Sequence, residues 1–285
     1  MPSNSNDNGR ALEFAVVDFF INNHSNVNLT SDALASQKRD LPKFLALPQN
    51  LKKSFQTAAS KFFAWFNKIN KNKKIINIDR FSDNSGLVYD LEINGIFFSL
   101  KHNHYALKHP RPYSLAEQCG LLAGGNDDKV HRLDMKIVSN SYQSNLNGIT
   151  KYNQNNVLKD KLFSDVLVVC KNSLDSWSKK YNHIAFDFFN FIVGTNFYKI
   201  IVKEDSSGTI VEVHDFLNVP QPNSMTSIYN SSVSINHLYL KFNHGWEIDL
   251  RLHTASSKIQ TNLNHQLSLK FDVQKKAGNI KNFQI

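Results

Sequence analysis

Cysteine is nearly absent: Cys119 and Cys170 are the only two in 285 residues. Two thiols far apart in sequence make neither a zinc tetrad nor a disulfide framework, and they read as buried thiols. Long apolar runs are missing as well. No stretch reaches the roughly 20 residues of a membrane span, and Met1 to Gly9 is polar, without the apolar core of a secretory signal. A membrane-surface role lacks a long basic amphipathic helix with aromatic anchors. The expectation is a soluble protein of the (bacterial) cytoplasm with no membrane partner. Proline and glycine are sparse, at 7 and 11. No linker rich in them and no internal repeat divides the chain, so residues 1–285 read as a single domain. Acidic residues are the fourth shortfall, 24 against 33 Lys and Arg, for a net charge of +9. That excess favours polyanionic partners and alone decides little.

Apolar periodicity marks two helices near the start. In "RALEFAVVDFFIN" (residues 10–22) Leu12, Ala15, Val16, Phe19 and Phe20 share a face. In residues 48–70, Leu51, Phe55, Ala58, Ala59, Phe62, Phe66 and Ile69 form a stripe, with Lys52, Lys53, Lys61 and Lys68 on the wet side. "KIINIDRF" follows as a strand. "SLAEQCGLL" reads as a short helix begun by Ser114, with Glu117 completing a capping box. Residues 120–156 read as loop with short elements, and residues 157–192 as helical. The remainder is β-rich: one hairpin turns at Ser206, Ser207 and Gly208, a second near His244 and Gly245, and "SLKFDVQ" is a last strand. Helices, a central hairpin and then strands imply a mixed α/β fold.

The central hairpin is "GLVYDLEINGIFFSLKHNH", residues 86–104. Asn94-Gly95 accepts the positive φ of a two-residue turn. Such a turn pairs Ile93 with Ile96, Glu92 with Phe97, Leu91 with Phe98 and Asp90 with Ser99. Alternation then puts Leu91, Ile93, Ile96, Phe98 and Leu100 on a core face. Asp90, Glu92, Ser99 and Lys101, with Phe97, take the other. A carboxylate and a lysine in one space suit a metal-dependent phosphodiesterase: the carboxylate holds a hard cation such as Mg²⁺, and the lysine steadies developing negative charge. The same pattern also describes a half-exposed hairpin with a surface ion pair. His102, Asn103 and His104 spell a nuclease motif whose residues are scattered over a ββα unit, so adjacency argues against it. The two histidines read as polar groups at a strand end beside a site or a phosphate.

Three blocks in the same order, "NDNGRALEFAVV", "YDLEINGIFFSLKHNHYALKHPR" and "GWEIDLRLHTASSKI" with "SLKFDV", resemble type II restriction endonucleases of the HaeIII-like family, within the PD-(D/E)xK nuclease superfamily. The resemblance implies a restriction-endonuclease-like α/β fold, a mixed central sheet flanked by helices, with the hairpin at its catalytic edge. It implies Mg²⁺-dependent hydrolysis of double-stranded DNA at a short palindrome, typically GGCC. Asp90 would bind the metal and Lys101 would be the motif lysine. Glu13 matches the helical glutamate that often completes such sites, although an acid at a helix start can merely complement the helix dipole. Ser99 stands where the pattern carries Glu or Asp, so Glu92 or Glu13 would supply the missing carboxylate, with the Leu100 carbonyl as a further ligand. "KHPRPYS" departs from the family run.

Lys108 and Arg111 follow the motif closely enough in sequence to serve flanking phosphates. In the last block Trp246, Ile248, Leu250 and Leu252 alternate with Glu247, Asp249, Arg251 and His253. The first set is core. Arg251 and His253 are candidates to read bases or phosphates, and Ser256, Ser257 and Lys258 to contact phosphates. The β-rich region from about 195 to 275 would carry DNA recognition. A palindrome favours a homodimer, and a cognate methyltransferase would protect the host DNA without touching this chain. The alternatives are a repair or structure-specific nuclease of the same superfamily, and a catalytically silent DNA-binding relative.

Overall fold

The computed structural model describes residues 5–71, 73–81, 87–103, 105, 108–259 and 268–285. His104, and Gly86 at the hairpin's start, lie outside them. In chain order the first elements are α1 (Ser5–Asn23), β1 (Val27–Leu29), α2 (Ser31–Leu45), α3 (Gln49–Ile69), β2 (Ile76–Arg80), β3 (Leu91–Ile93) and β4 (Ile96–His102). Helices α4 (Leu115–Gln118), α5 (Asn126–Gln143), α6 (Asn156–Lys180) and α7 (Ile184–Ile192) follow. The chain then continues as β5 (Phe197–Asp205), β6 (Gly208–Asp215), β7 (Met225–Asn230), β8 (His237–Phe242), β9 (Glu247–Thr254), β10 (Leu269–Ala277) and β11 (Lys281–Gln284).

Two compact units result. One comprises residues 1–105, 195–219 and 280–285, the other 106–194 and 220–279. The first holds a seven-stranded mixed sheet in the order β1-β2-β3-β4-β5-β6-β11, with β1–β2 and β4–β5 parallel and the remaining pairs antiparallel. Helices α1, α2 and α3 flank it, so the fold is mixed α/β as the sequence implies, and it is compatible with a restriction-endonuclease-like architecture. Leu12, Val16 and Phe20 of α1 and Phe55, Phe62 and Phe66 of α3 are all buried against Leu91, Phe98 and Leu100 of the hairpin. Phe98 is the hub, with its ring centroid 5.1 Å from that of Phe62 and 5.9 Å from those of Phe66 and Tyr198. Lys61 leaves the wet side of α3 to donate to the Thr209 carbonyl at 2.9 Å.

The hairpin has the expected register for Leu91–Phe98, Glu92–Phe97 and Ile93–Ile96, with Asn94 and Gly95 at φ of 51° and 82°. It is not an edge. Strand β2 pairs with β3 on one side, and β5 pairs with β4 from Phe97–Phe197 to His102–Val202 on the other, because the chain returns to lie parallel beside β4 after a long excursion.

The second unit holds the four-stranded antiparallel sheet β10-β9-β8-β7 and helices α4 to α7. The β-rich run from about 195 to 275 is thus shared between the two sheets. Residues 126–143, expected to be loop, form α5. Its buried positions are Asp128, His131, Met135, Ser139 and Tyr142, spaced as a helix but mostly polar, so apolar periodicity does not reveal it. The capping box at Ser114 does not form: Ser114 closes a 3₁₀ turn, makes no side-chain cap bond, and Glu117 pairs with Arg132 instead. Cys119 and Cys170 are free and fully buried, and burial pushes both thiols up. Among the described residues no helix is long and apolar enough to cross a membrane.

Candidate active site

Asp90 stands one residue before β3, where the ladder to β4 gives out. Its N–H donates to the Phe98 carbonyl at 2.8 Å, and its carbonyl accepts from Phe81 N–H at 3.0 Å. Past that point, among the described residues, β4 has no further ladder partner on this side, and the Asp90 carboxylate takes over. Oδ2 accepts from Leu100 N–H at 2.9 Å, Lys101 Nζ at 2.9 Å and Ser99 Oγ at 3.2 Å. The N–H and C=O of one strand residue share an edge, so the Leu100 carbonyl points to the same side as this carboxylate. Asp90 and Lys101 keep 23% and 28% side-chain exposure: the pair is open to a ligand but fixed by the main chain.

Glu13 comes from the middle of α1, eight residues beyond the start of the helix, and so does not serve the helix dipole. Burial, then the charge of Asp90, raises its carboxyl from the ordinary 4.5 to about 7, against the lowering effect of Arg80. The two carboxylates therefore share one electrostatic neighbourhood. Lys199, opposite Ser99 in the β4–β5 register, is buried and donates to the Tyr105 carbonyl at 2.6 Å. Burial and then Lys101 lower its ammonium from 10.5 to about 7, with Asp90 opposing.

Behind Glu13 sits the fully buried Arg80. It donates to Glu13 Oε2 at 2.7 Å, Asp40 Oδ2 at 2.8 Å and Gln37 Oε1 at 2.7 Å. Arg80 and Lys199 escape a reading based on pattern. The signal was there for Arg80: Ile76, Ile78 and Arg80 share the buried face of β2, and a charge in a core position implies a buried partner. Lys199 likewise interrupts the apolar run "FYKIIV".

The other candidates lie elsewhere. Glu92, near the turn, lines an open pocket with Lys73, Lys74, Asn77 and Asn94. His102 is on the opposite face of β4 from Lys101, 3.1 Å from Glu204 Oε2 and edge-on to Phe55. In the second unit Lys108 Nζ lies 4.0 Å over the Phe191 ring, and burial lowers its ammonium. Arg111 Nη1 donates to the Leu269 carbonyl at 3.4 Å. Asp249 is fully buried and holds His237 Nδ1 at 2.8 Å. Arg251 Nη2 donates to Asp272 Oδ2 at 2.6 Å, and His253 Nε2 is 2.9 Å from Asp272 Oδ1. Ser256, Ser257 and Lys258 form the bend after β9, with Ser257 and Lys258 exposed.

The chain is similar to a type II restriction enzyme. HaeIII, from Haemophilus aegyptius, is 25% identical to it across 96% of this chain and 95% of its own length. No family model matches, and no solved structure does. The likeness to HaeIII supports a restriction-endonuclease-like relative, a class that uses divalent metal ions.

The donor set around Asp90 fits such an ion. Asp90 and Glu13 offer the oxygen donors that Mg²⁺ takes, and the charge of Asp90 helps raise Glu13, a repulsion that a bound hard cation would relieve.

Proposed function

We propose that this chain is a type II restriction endonuclease that hydrolyses double-stranded DNA at a short palindrome, GGCC by resemblance. The observation that carries the reading is the Asp90–Lys101 pair at 2.9 Å, with Glu13 near enough to feel the charge of both. It occurs in a chain similar to HaeIII over nearly its whole length. Asp90, Glu13 and the Leu100 carbonyl would hold Mg²⁺. When bound, that ion lowers the pKa of a coordinated water and offsets phosphate charge.

Lys101, pinned by Asp90 until a phosphate competes for it, orients the attacking water and neutralises the charge that grows on the phosphate. Ser99 adds no anion. It donates to Asp90 and keeps that carboxylate aimed, and Glu13 replaces the acid that the superfamily pattern has at this position. Lys199, with its ammonium lowered to about 7 beside Lys101, is a buried amine that can hold or release a proton near neutral pH. Arg251, Ser257 and Lys258 are exposed cations and a hydroxyl suited to DNA contacts, with Lys108, Arg111 and Ser256 as secondary ones. A palindromic target implies a homodimer and a host methyltransferase of the same specificity.

Purified protein with Mg²⁺ should cut unmethylated plasmid into discrete fragments mapping to one sequence. Lys101→Ala should abolish cutting while duplex binding persists. If no divalent ion supports cleavage of any duplex, the reading fails. Ser99 at the position of an acid favours one other reading, a DNA-binding relative without activity, for which salt-dependent binding without cleavage is the mark. Cleavage confined to branched or damaged substrates would indicate a structure-specific nuclease.

A further inference from the structure

Away from Asp90, three side chains from separate segments of the second unit converge. His109 lies between β4 and α4 in sequence, His253 on β9 and Asp272 on β10, and one ligand atom of each lies within 4.8 Å of the other two. His109 Nδ1 and His253 Nε2 are both 2.9 Å from the same oxygen, Asp272 Oδ1. The register explains part of this, since Lys270–His253 and Asp272–Arg251 are alternate rungs of β9–β10, with one pair between them, which puts His253 and Asp272 on the same face. His109 arrives because its segment is docked on β10: Phe271 N–H donates to the Pro110 carbonyl at 2.9 Å.

We propose that His109, His253 and Asp272 bind a divalent transition-metal cation of the Zn²⁺ class, separate from the hard-ion site at Asp90. Two imidazoles and one carboxylate are the donor set that a borderline-soft ion selects over Mg²⁺. With metal–ligand bonds of about 2.0–2.2 Å, tetrahedral donors stand roughly 3.3 Å apart, so the two contacts to Asp272 Oδ1 need open only by a few tenths of an ångström.

The surroundings of His253 and Asp272 match what a metal-bound histidine and carboxylate require, while His109 Nδ1, which also lies 3.3 Å from the Phe271 carbonyl oxygen, would give up that contact and its hydrogen to bind the metal. His253 Nδ1 is 3.0 Å from the Thr254 carbonyl oxygen, which only accepts, so Nδ1 carries the hydrogen. Nε2 then faces Asp272 Oδ1, an acceptor, and a cation between them satisfies both. This is the outer bond that fixes the tautomer of a ligating imidazole. Arg251 Nη2, by holding Oδ2, turns Oδ1 toward the histidines. The His109 side chain is 36% exposed and that of Asp272 only 14%, which leaves room for a water as fourth ligand on the solvent side. Bound metal would staple the His109 segment to β9 and β10, and His253 would be a metal ligand in place of a base reader.

The full-length chain, stripped of metal by chelator dialysis, should take up one equivalent of Co²⁺ with the strong visible absorption of a four-coordinate ion. Zn²⁺ should displace it and raise the unfolding temperature. His253→Ala and Asp272→Asn should each weaken Co²⁺ binding tenfold or more and erase the Zn²⁺ shift, and His109→Ala, at a partly exposed position, should do the same without loss of helical circular dichroism. Asp90→Asn should leave the four-coordinate signal intact. Absence of that signal in the wild-type chain, or its persistence in correctly folded His109→Ala and Asp272→Asn variants, would mean that the cluster is an imidazolium–carboxylate ion pair and would overturn the proposal.

Discussion

Arg80 Nη2 lies 2.7 Å from Glu13 Oε2 and 2.8 Å from Asp40 Oδ2, so one buried guanidinium on β2 ties down α1 and α2 together. It fixes the helix that delivers Glu13 to Asp90. Arg80→Met removes the countercharge that, among the described residues, is hydrogen-bonded to Glu13, whereas Asp40 retains Arg39 and Lys43. Breaking a buried pair from one side costs about 3–5 kcal/mol. Urea unfolding should show a loss of that size at pH 8 and a smaller one at pH 5, where Glu13, raised to about 7, already carries its proton in the wild-type fold and loses no ion pair.

The perturbed groups give stability a defined pH dependence in the absence of divalent ions. Glu13 moves from 4.5 unfolded to about 7 folded, so the folded state holds the extra proton between those values. Its contribution is fully present below about pH 4.5 and is lost as pH rises through 7. Lys199 moves from 10.5 down to about 7, so the unfolded state binds the extra proton and stability rises with pH across that window. Denaturant midpoints measured from pH 4.5 to 9.5 should lose the first slope in Glu13→Gln and the second in Lys199→Met.

Glutamates 13 and 92 were equal candidates for the carboxylate that Ser99 does not provide. On the proposed reading Glu13 is the one, because it feels the charge of Asp90, whereas Glu92 lines the pocket near the turn. Single-turnover cleavage should fall by at least about 100-fold in Glu13→Gln, the size of effect expected when a group stabilising transition-state charge is lost. In Glu92→Gln it should stay within about threefold, since that side chain touches none of the reacting groups. A large loss in Glu92→Gln with full activity in Glu13→Gln would reverse the assignment.

What the sequence exposes of this fold is what is local. The Asn94-Gly95 turn fixes a register over a few residues, and with it the meeting of Asp90 and Lys101. The apolar stripes of α1 and α3 are equally plain. Helices α2 and α5 are not, because their buried faces carry Asp40, Gln37 and Ser36 in one and Asp128, His131 and Ser139 in the other. Their partners are distant in sequence, so the residues look like solvated polar positions. Lys199 reaches the site only through the parallel pairing of β4 with β5, which no neighbouring residue announces. Even the hairpin's interior place in the sheet depends on that pairing.

The turn itself can be dissected. Gly95 at φ 82° has open space where a Cβ would go, so Gly95→Ala costs only the left-handed backbone, about 1–2 kcal/mol. Asn94 does more. Its Oδ1 accepts from Asn77 N–H at 2.8 Å and its Nδ2 donates to the Ile75 carbonyl at 3.1 Å, which ties the turn to β2. Asn94→Gly keeps the backbone conformation and loses those two exposed bonds, about 1 kcal/mol. Asn94→Ala loses both the bonds and the favoured φ and should be the most destabilised of the three in urea. Each variant should retain cleavage at temperatures where it is folded, because the Asp90–Lys101 contact is held by the far end of the hairpin. If Asn94→Gly instead equals wild type, the side-chain bonds to Asn77 and Ile75 contribute nothing, and the backbone bond from Asn94 N–H to the Asn77 carbonyl at 2.9 Å suffices to hold the turn to β2.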